Sequence, residues 1–235
     1  MKTIGLVGGT GWVSSQEYYK IINETVNQKL GGMTFPRIIL NSVNYGDIYT
    51  CNQENNRDGV YQIVKQASNT VCNAGADFIA LCANTLHFTY ERLQNDINVP
   101  ILHIADTTAK SIKSKKIKKV GLLGTRETME LDFYKKRLAQ QEIEVIIPEK
   151  QEREFIHNAI MNELLKELFL PETKSKFLGI MNKLIEKGAQ GMILGCTEIP
   201  LLVKQNDFGH PLFNTLELHA KAIAEFAIDS NSYNC

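Results

Sequence analysis

An α/β fold built from two similar parallel-sheet halves is what this sequence predicts, and three observations carry the prediction. A strand, glycine turn and helix pattern opens the chain and opens it again midway. Two further segments recur at nearly the same spacing as those openings. Short, almost continuous apolar runs such as Phe78 to Leu81 and Met192 to Leu194 suit strands buried on both faces of a parallel sheet.

The first opening is Thr3 to Val7, closed by Gly8-Gly9 and followed by helical periodicity from about Ser14 to Lys29. The second is Lys119-Val-Gly-Leu-Leu-Gly-Thr125, with a helical pattern from about Glu127 to Gln141 behind it, 116 positions further on. Gly75-Ala-Asp-Phe-Ile-Ala-Leu81 then matches Gly188-Ala-Gln-Gly-Met-Ile-Leu194 at an offset of 113. Pro100-Ile-Leu-His103 with Ala109-Lys110 matches Pro211-Leu-Phe-Asn214 with Ala220-Lys221 at an offset of 111. Three matched elements in one order imply two α/β domains of the same topology, related by pseudo-twofold symmetry. The helix Leu216 to Ile228 is expected to return to the first half and Asp106 to Lys113 to enter the second. The domains read as 1–105 plus 215–235, and 106–214, with the active site in the cleft between them. Ligands of such sheets sit beyond the carboxyl ends of the strands, so the residues just after each strand are the functional candidates.

Composition narrows the function. The chain has 235 residues, 43% of them apolar, with 26 basic and 26 acidic side chains. No basic block interleaved with aromatics marks a nucleic-acid partner, and the lysines of 110–119 read as a solvated helix end and turn. The opening apolar run is too short for a signal peptide and no stretch suits a membrane span, so a cytoplasmic protein is expected. Five cysteines without a Cys-x-x-Cys pair read as free thiols, and five scattered histidines leave no metal-ligand cluster.

Two strand ends carry chemistry: Ala80-Leu-Cys-Ala-Asn-Thr-Leu-His87 and Leu194-Gly-Cys-Thr-Glu-Ile-Pro200. Backbone N–H groups where a strand turns into a helix seat a carboxylate, and with the helix dipole they are expected to lower a thiol's pKa. A lone buried cysteine is ordinarily a small apolar filler. Recurrence at equivalent strand ends, beside Asn84-Thr85 and Thr197-Glu198, favours function for Cys196. Cys51, Cys72 and Cys235 lack such surroundings and read as structural. A Cys-His hydrolase is a further possibility, disfavoured because no histidine lies near Cys196 in the sequence.

The residues Asn84-Thr85-Leu86-His87 after one strand and Gly195-Cys196-Thr197-Glu198 after the other resemble the paired signatures of the aspartate/glutamate racemase family. Gly8-Gly9-Thr10-Gly11-Trp12-Val13-Ser14-Ser15 with Tyr18-Tyr19, His103 to Ala109, and Leu123 to Met129 resemble further family stretches, so the likeness covers nearly the whole chain. It implies a cofactor-independent, two-base exchange of the Cα proton of an amino acid, aspartate or glutamate favoured, in a homodimer. Cys196 would be one acid/base group. Ala83, Asn84, Thr85 and Thr197 would hold the substrate carboxylate, with Thr10, Asn52 and Lys166 as further substrate-binding residues. Asn52 is expected in a loop, and Lys166 on a helix, one position later than the family's lysine. His87 reads as an orienting residue rather than a base.

One departure bears on the mechanism. The family's first acid/base residue directly precedes Asn-Thr, and here it is Ala83, with Cys82 one place earlier. The repeat also pairs Ala83 with Cys196, and a one-residue shift along a strand sends a side chain to the other face. Three readings stand: Cys82 reaches the site through a bulge and is catalytic, the enzyme works with Cys196 alone, or an alanine has replaced the natural residue. A single-cysteine decarboxylase or isomerase of the same superfamily and a non-catalytic amino-acid-binding protein are the alternatives.

Overall fold

The computed structural model describes residues 1–229, and Cys235 lies outside them. The chain divides into two compact units, one of Met1–His103 with the segment from His219 onward, the other Ile104–Leu218.

In the first unit the elements run β1 (Ile4–Gly8), α1 (Trp12–Leu30), β2 (Ile38–Ser42), α2 (Tyr45–Gln53), α3 (Arg57–Asn73), β3 (Phe78–Leu81), a 3₁₀ turn (Thr85–Thr89), α4 (Tyr90–Asp96) and β4 (Ile101–Leu102). The four strands are parallel, in the order β2-β1-β3-β4. The apolar face of α3 shows why it forms and where it packs. Val60, Val64, Ala67 and Val71 recur at helical spacing and are buried with Ile79 and Leu81 of β3. Asn56 caps this helix by accepting the Gly59 N–H at 2.8 Å.

The second unit repeats the plan: α5 (Ile104–Ser114), β5 (Lys119–Gly124), α6 (Arg126–Glu130), α7 (Asp132–Ala139), β6 (Glu144–Ile146), α8 (Lys150–Asn162), a 3₁₀ turn (Leu164–Lys166), α9 (Pro171–Glu186), β7 (Met192–Gly195), α10 (Ile199–Leu202), a 3₁₀ turn (Gln205–Asp207), β8 (Leu212–Asn214) and the start of α11 (Thr215–Ile228). Its parallel order is β6-β5-β7-β8. Side chains of β7 alternate between two cores, Met192 and Leu194 in one and Ile193 in the other. From His219 the last helix belongs to the first unit, where Phe226 stacks edge-on against Phe78 with ring centroids 4.6 Å apart.

The single helix expected over 127–141 is two helices. Leu131 is extended between α6 and α7, and the reason lies in the packing. Met129 joins the core of Leu123 and Leu194, whereas Tyr134 and Leu138 join the core of Leu122 and Ile193. The chain therefore passes from one face of the sheet to the other at Leu131, which one straight helix could not do.

Candidate active site

Both strand ends are built alike. In the first unit β3 pairs with β1 through Val7↔Leu81, and the Cys82 N–H continues the ladder to the Val7 carbonyl at 2.9 Å. No bulge intervenes. Ala83 therefore packs with the core of Ile79 and Leu81, while Cys82 falls on the face of Phe78 and Ala80, outside that core. In the second unit Cys196 packs with Met192 and Leu194. The pairing of Ala83 with Cys196 inferred from the repeat is thus also the pairing of their packing, and the bulge that would bring Cys82 to Ala83's face is absent. Cys82 is only 1% exposed, and burial pushes its thiol pKa far up.

Cys196 is buried, its thiol donating to Glu198 Oε2 at 2.9 Å, and the Thr197 hydroxyl donates to the same oxygen at 2.7 Å. Burial, then the Glu198 charge and hydrogen bond, hold the thiol pKa well above its ordinary value, against the opposing backbone N–H groups of Glu198 and Thr197. The expected lowering is corrected in direction. The helix behind Cys196, α10, has four residues, too short for a substantial dipole, and a buried carboxylate outweighs two backbone donors. Gly195 permits the close approach here, since a Cβ on it would lie 2.9 Å from the Leu123 carbonyl oxygen.

At the other strand end the turn is fixed from below. The Ala83 carbonyl can only accept, so His87 Nδ1 carries the proton it shares with that oxygen at 3.0 Å. His87 lies against His103 (4.5 Å between centroids) and His219 (5.8 Å), and Tyr90 stands edge-on to His103. His219 Nε2 donates to the Leu102 carbonyl at 3.0 Å, which leaves Nδ1 to accept from the Tyr18 hydroxyl at 2.9 Å. Burial first, and His87 second, push the His219 pKa down to about 3, so the ring is neutral. The Asn84 side chain is buried and Thr85 partly so.

The remaining candidates are placed as follows. Thr10 follows β1 and Gly9, whose φ of 95° suits glycine. Asn52 is not in a loop but in the last turn of α2, a helix that Asn44 caps by accepting from Gly46 N–H. Lys166 ends a 3₁₀ turn rather than lying on α8, which stops at Asn162, and Glu167 in a left-handed conformation (φ 59°) closes that turn. Thr10 and Ala83–Thr85 thus share the carboxyl edge of the first sheet, and Cys196 and Thr197 that of the second. The sequence reading placed Glu198 in the motif beside Cys196 but assigned it no role of its own, and assigned none to His219. The signal for Glu198 was its place two residues after Cys196. For His219 nothing in the sequence announces a partner in Tyr18, 201 positions away.

Each unit carries a four-stranded parallel sheet, and of the two equivalent strand ends the second bears a buried thiol hydrogen-bonded to a carboxylate. The family model described as Asp/Glu/Hydantoin racemase matches residues 7–223, and the chain belongs to that family of isomerases. A crystal structure of a putative Asp/Glu racemase from Yersinia pestis is 39% identical, aligned over 97% of this chain and 100% of its own, with a TM-score of 0.91. That of an aspartate racemase homologue from Pyrococcus horikoshii OT3 is 34% identical over 97% and 100%, with a TM-score of 0.84. The broad specificity amino-acid racemase RacX of Bacillus subtilis is 26% identical over 93% of this chain and 95% of its own. Among the described residues no helix is long and apolar enough to cross a membrane.

Proposed function

We propose that the protein is a cofactor-independent enzyme that exchanges the Cα proton of an amino acid, aspartate or glutamate favoured, through the sulfur of Cys196. The observation that carries this reading is the thiol of Cys196 at a strand end, hydrogen-bonded to Glu198 at 2.9 Å. As a thiolate, Cys196 takes the α-proton: the C–H bond breaks, an S–H bond forms, and the electron pair spreads into the substrate carboxylate. Backbone N–H groups around Ala83–Asn84–Thr85 and Thr197 would hold that carboxylate and stabilise the growing charge. Thr10, Asn52 and Lys166 are assigned to the rest of the substrate. Homodimeric assembly in the cytoplasm is part of the proposal.

Inversion needs a second proton carrier on the other face of the carbanion. The position equivalent to Cys196 is Ala83, which has no proton to give, and Cys82 takes no part. Water must then supply the inverting proton, so exchange with retention should outrun racemisation. The same alanine favours a second reading, a single-thiol decarboxylase that protonates a carbanion after losing carbon dioxide.

Cα–H exchange in D2O, followed by NMR with L- and D-aspartate and glutamate, tests this. Exchange is expected in the wild type, lost in Cys196→Ala, and accompanied by faster racemisation in Ala83→Cys. No exchange of any of the four by any of the three proteins would refute the assignment, and release of carbon dioxide from an α-substituted malonate would establish the second reading.

A further inference from the structure

We infer that the apolar face formed by α1, the connection after it and the edge strand β2 is where a second copy of this chain docks, the two copies meeting through the same face about a twofold axis. The inference deepens the homodimeric assembly proposed above and rests on that part of the reading, but not on the proton-exchange chemistry.

Sequence spacing builds the face. Trp12, Tyr19 and Leu30 stand 7 and 11 positions apart, and a helix turning about 100° per residue sets them within about 20° of one line along α1. The other flank of α1 is occupied, since Tyr18 meets His219 and Lys29 pairs with Glu225, both on α11. Ile22 and Val26 are buried between the two flanks, so the Trp12 stripe looks toward β2 and away from α11. Leu40 joins it from the sheet: a Cβ on Gly8 of β1 would meet both Ser15 of α1 and the tip of Leu40, which therefore points to the α1 side. Met33 and Phe35 lie in the connection between α1 and β2. Asn27 of α1 ties that connection back by donating to the Gly32 and Thr34 carbonyls at 2.8 and 3.3 Å.

Size and charge select the occupant. Met33 is 90% and Trp12 70% exposed, and Tyr19, Leu30, Phe35 and Leu40 are exposed with them. With about 200 Å² for a whole large side chain, the six present roughly 700 Å², more than the ~300–600 Å² of the largest apolar patch on a typical monomer. That area approaches the ~800 Å² each partner contributes to a stable interface. A face that meets its own twofold image sets like against like, and none of these six side chains carries a charge to repel its copy. The β2 strand, Ile38–Ser42, is also uncharged although it forms the edge of its sheet, where solvent-exposed strands are commonly guarded by charges.

The second unit shows that the topology does not itself require such a face. Its equivalent edge strand, β6, begins at Glu144, which pairs with Lys119, and α7 beside it carries Lys135 and Lys136 paired with Asp132. Among the described residues, no large apolar side chain of 119–146 is exposed. One plan thus ends in a solvated charged edge in one unit and an uncovered apolar edge in the other.

Sedimentation velocity of the full chain at micromolar concentration tests the inference, on the wild type, Met33→Asp, Leu30→Lys and, on the charged edge of the second unit, Lys136→Ala. The wild type and Lys136→Ala should sediment as dimers. Met33→Asp and Leu30→Lys should each raise the dimer dissociation constant roughly 10²-fold, because each places an unpaired charge in the contact twice, while keeping the wild-type circular dichroism. Both positions are exposed, so folding does not depend on them. Dimers as tight as the wild type in both variants would overturn the inference and leave the homodimer to another surface. A wild type that stays monomeric would overturn the homodimer as well, and would hand the face to a different protein or a lipid surface.

Discussion

Acidification should unfold this protein in part through His219, and the size of the effect follows from the structure. The ring is fully buried, donates to the Leu102 carbonyl and accepts from Tyr18, and its folded pKa is pushed from 6.5 to about 3. Below 6.5 the unfolded chain binds a proton there and the folded one does not until about pH 3. Stability is therefore fully present above 6.5 and is lost as the pH falls through that window. At about 1.4 kcal/mol per unit, lowering the pH from about 7.5 to about 4.5 removes roughly 2–3 kcal/mol from this group alone. His219→Gln removes the titration and leaves at least one buried partner unsatisfied, which costs about 1–3 kcal/mol at neutral pH. Urea unfolding followed by circular dichroism at fixed protein concentration should show the wild type more stable at pH 7.5 and the gap closing or reversing by pH 4.5. Other acid-sensitive groups, such as the half-buried His157, are common to both proteins and drop out of the difference. A gap that stays constant over the range would refute the reasoning, because it would mean that folded His219 takes up its proton as readily as the unfolded chain does.

Cys82→Ala should retain Cα–H exchange at the wild-type rate while lowering stability by about 1 kcal/mol, the cost of a small buried group. Loss of exchange in this variant would return Cys82 to the chemistry. Gly9→Ala should lower Tm by several degrees, since a left-handed φ and a Cβ driven into the Val43 backbone together cost about 1–3 kcal/mol. An unchanged Tm would show that the turn before Thr10 is looser than its geometry says.

The sequence made the central strands legible because burial on both faces leaves an unmistakable apolar run. Phe78–Leu81 is a strand with those bounds, and Met192–Gly195 extends its run by one residue. The edge strands beside β1 and β5 were silent. Ile38–Ser42 mixes half-buried and exposed positions, and Glu144–Ile146 is three residues long, so neither generates a pattern longer than chance. The break at Leu131 was invisible for a different reason: apolar spacing says that a residue is buried, not which face of a sheet buries it. The repeat located both strand ends and their alignment to the residue. It could not reveal the sign of the Cys196 shift, which depends on where the Glu198 carboxylate turns, a matter of side-chain rotamer.

The two strand ends began from one pattern and now differ in what they do with protons. At β7 the Cys196 thiol and the Thr197 hydroxyl both donate their protons to hydrogen bonds with Glu198 Oε2. At β3 the nearest ring, His87, directs its Nδ1 proton to the Ala83 carbonyl, and behind it His219 stays neutral by burial. His219 takes a proton only near pH 3, so it stays neutral behind that turn. His87, through its hydrogen bond to the Ala83 carbonyl, thus supports the turn that bears Ala83, Asn84 and Thr85. If Cys196 is the one mobile proton carrier, the stereochemical outcome is decided by whether water can reach the other face of the carbanion before Cys196 returns its proton. Retention follows when the thiol is faster, and inversion accumulates only as slowly as water permits.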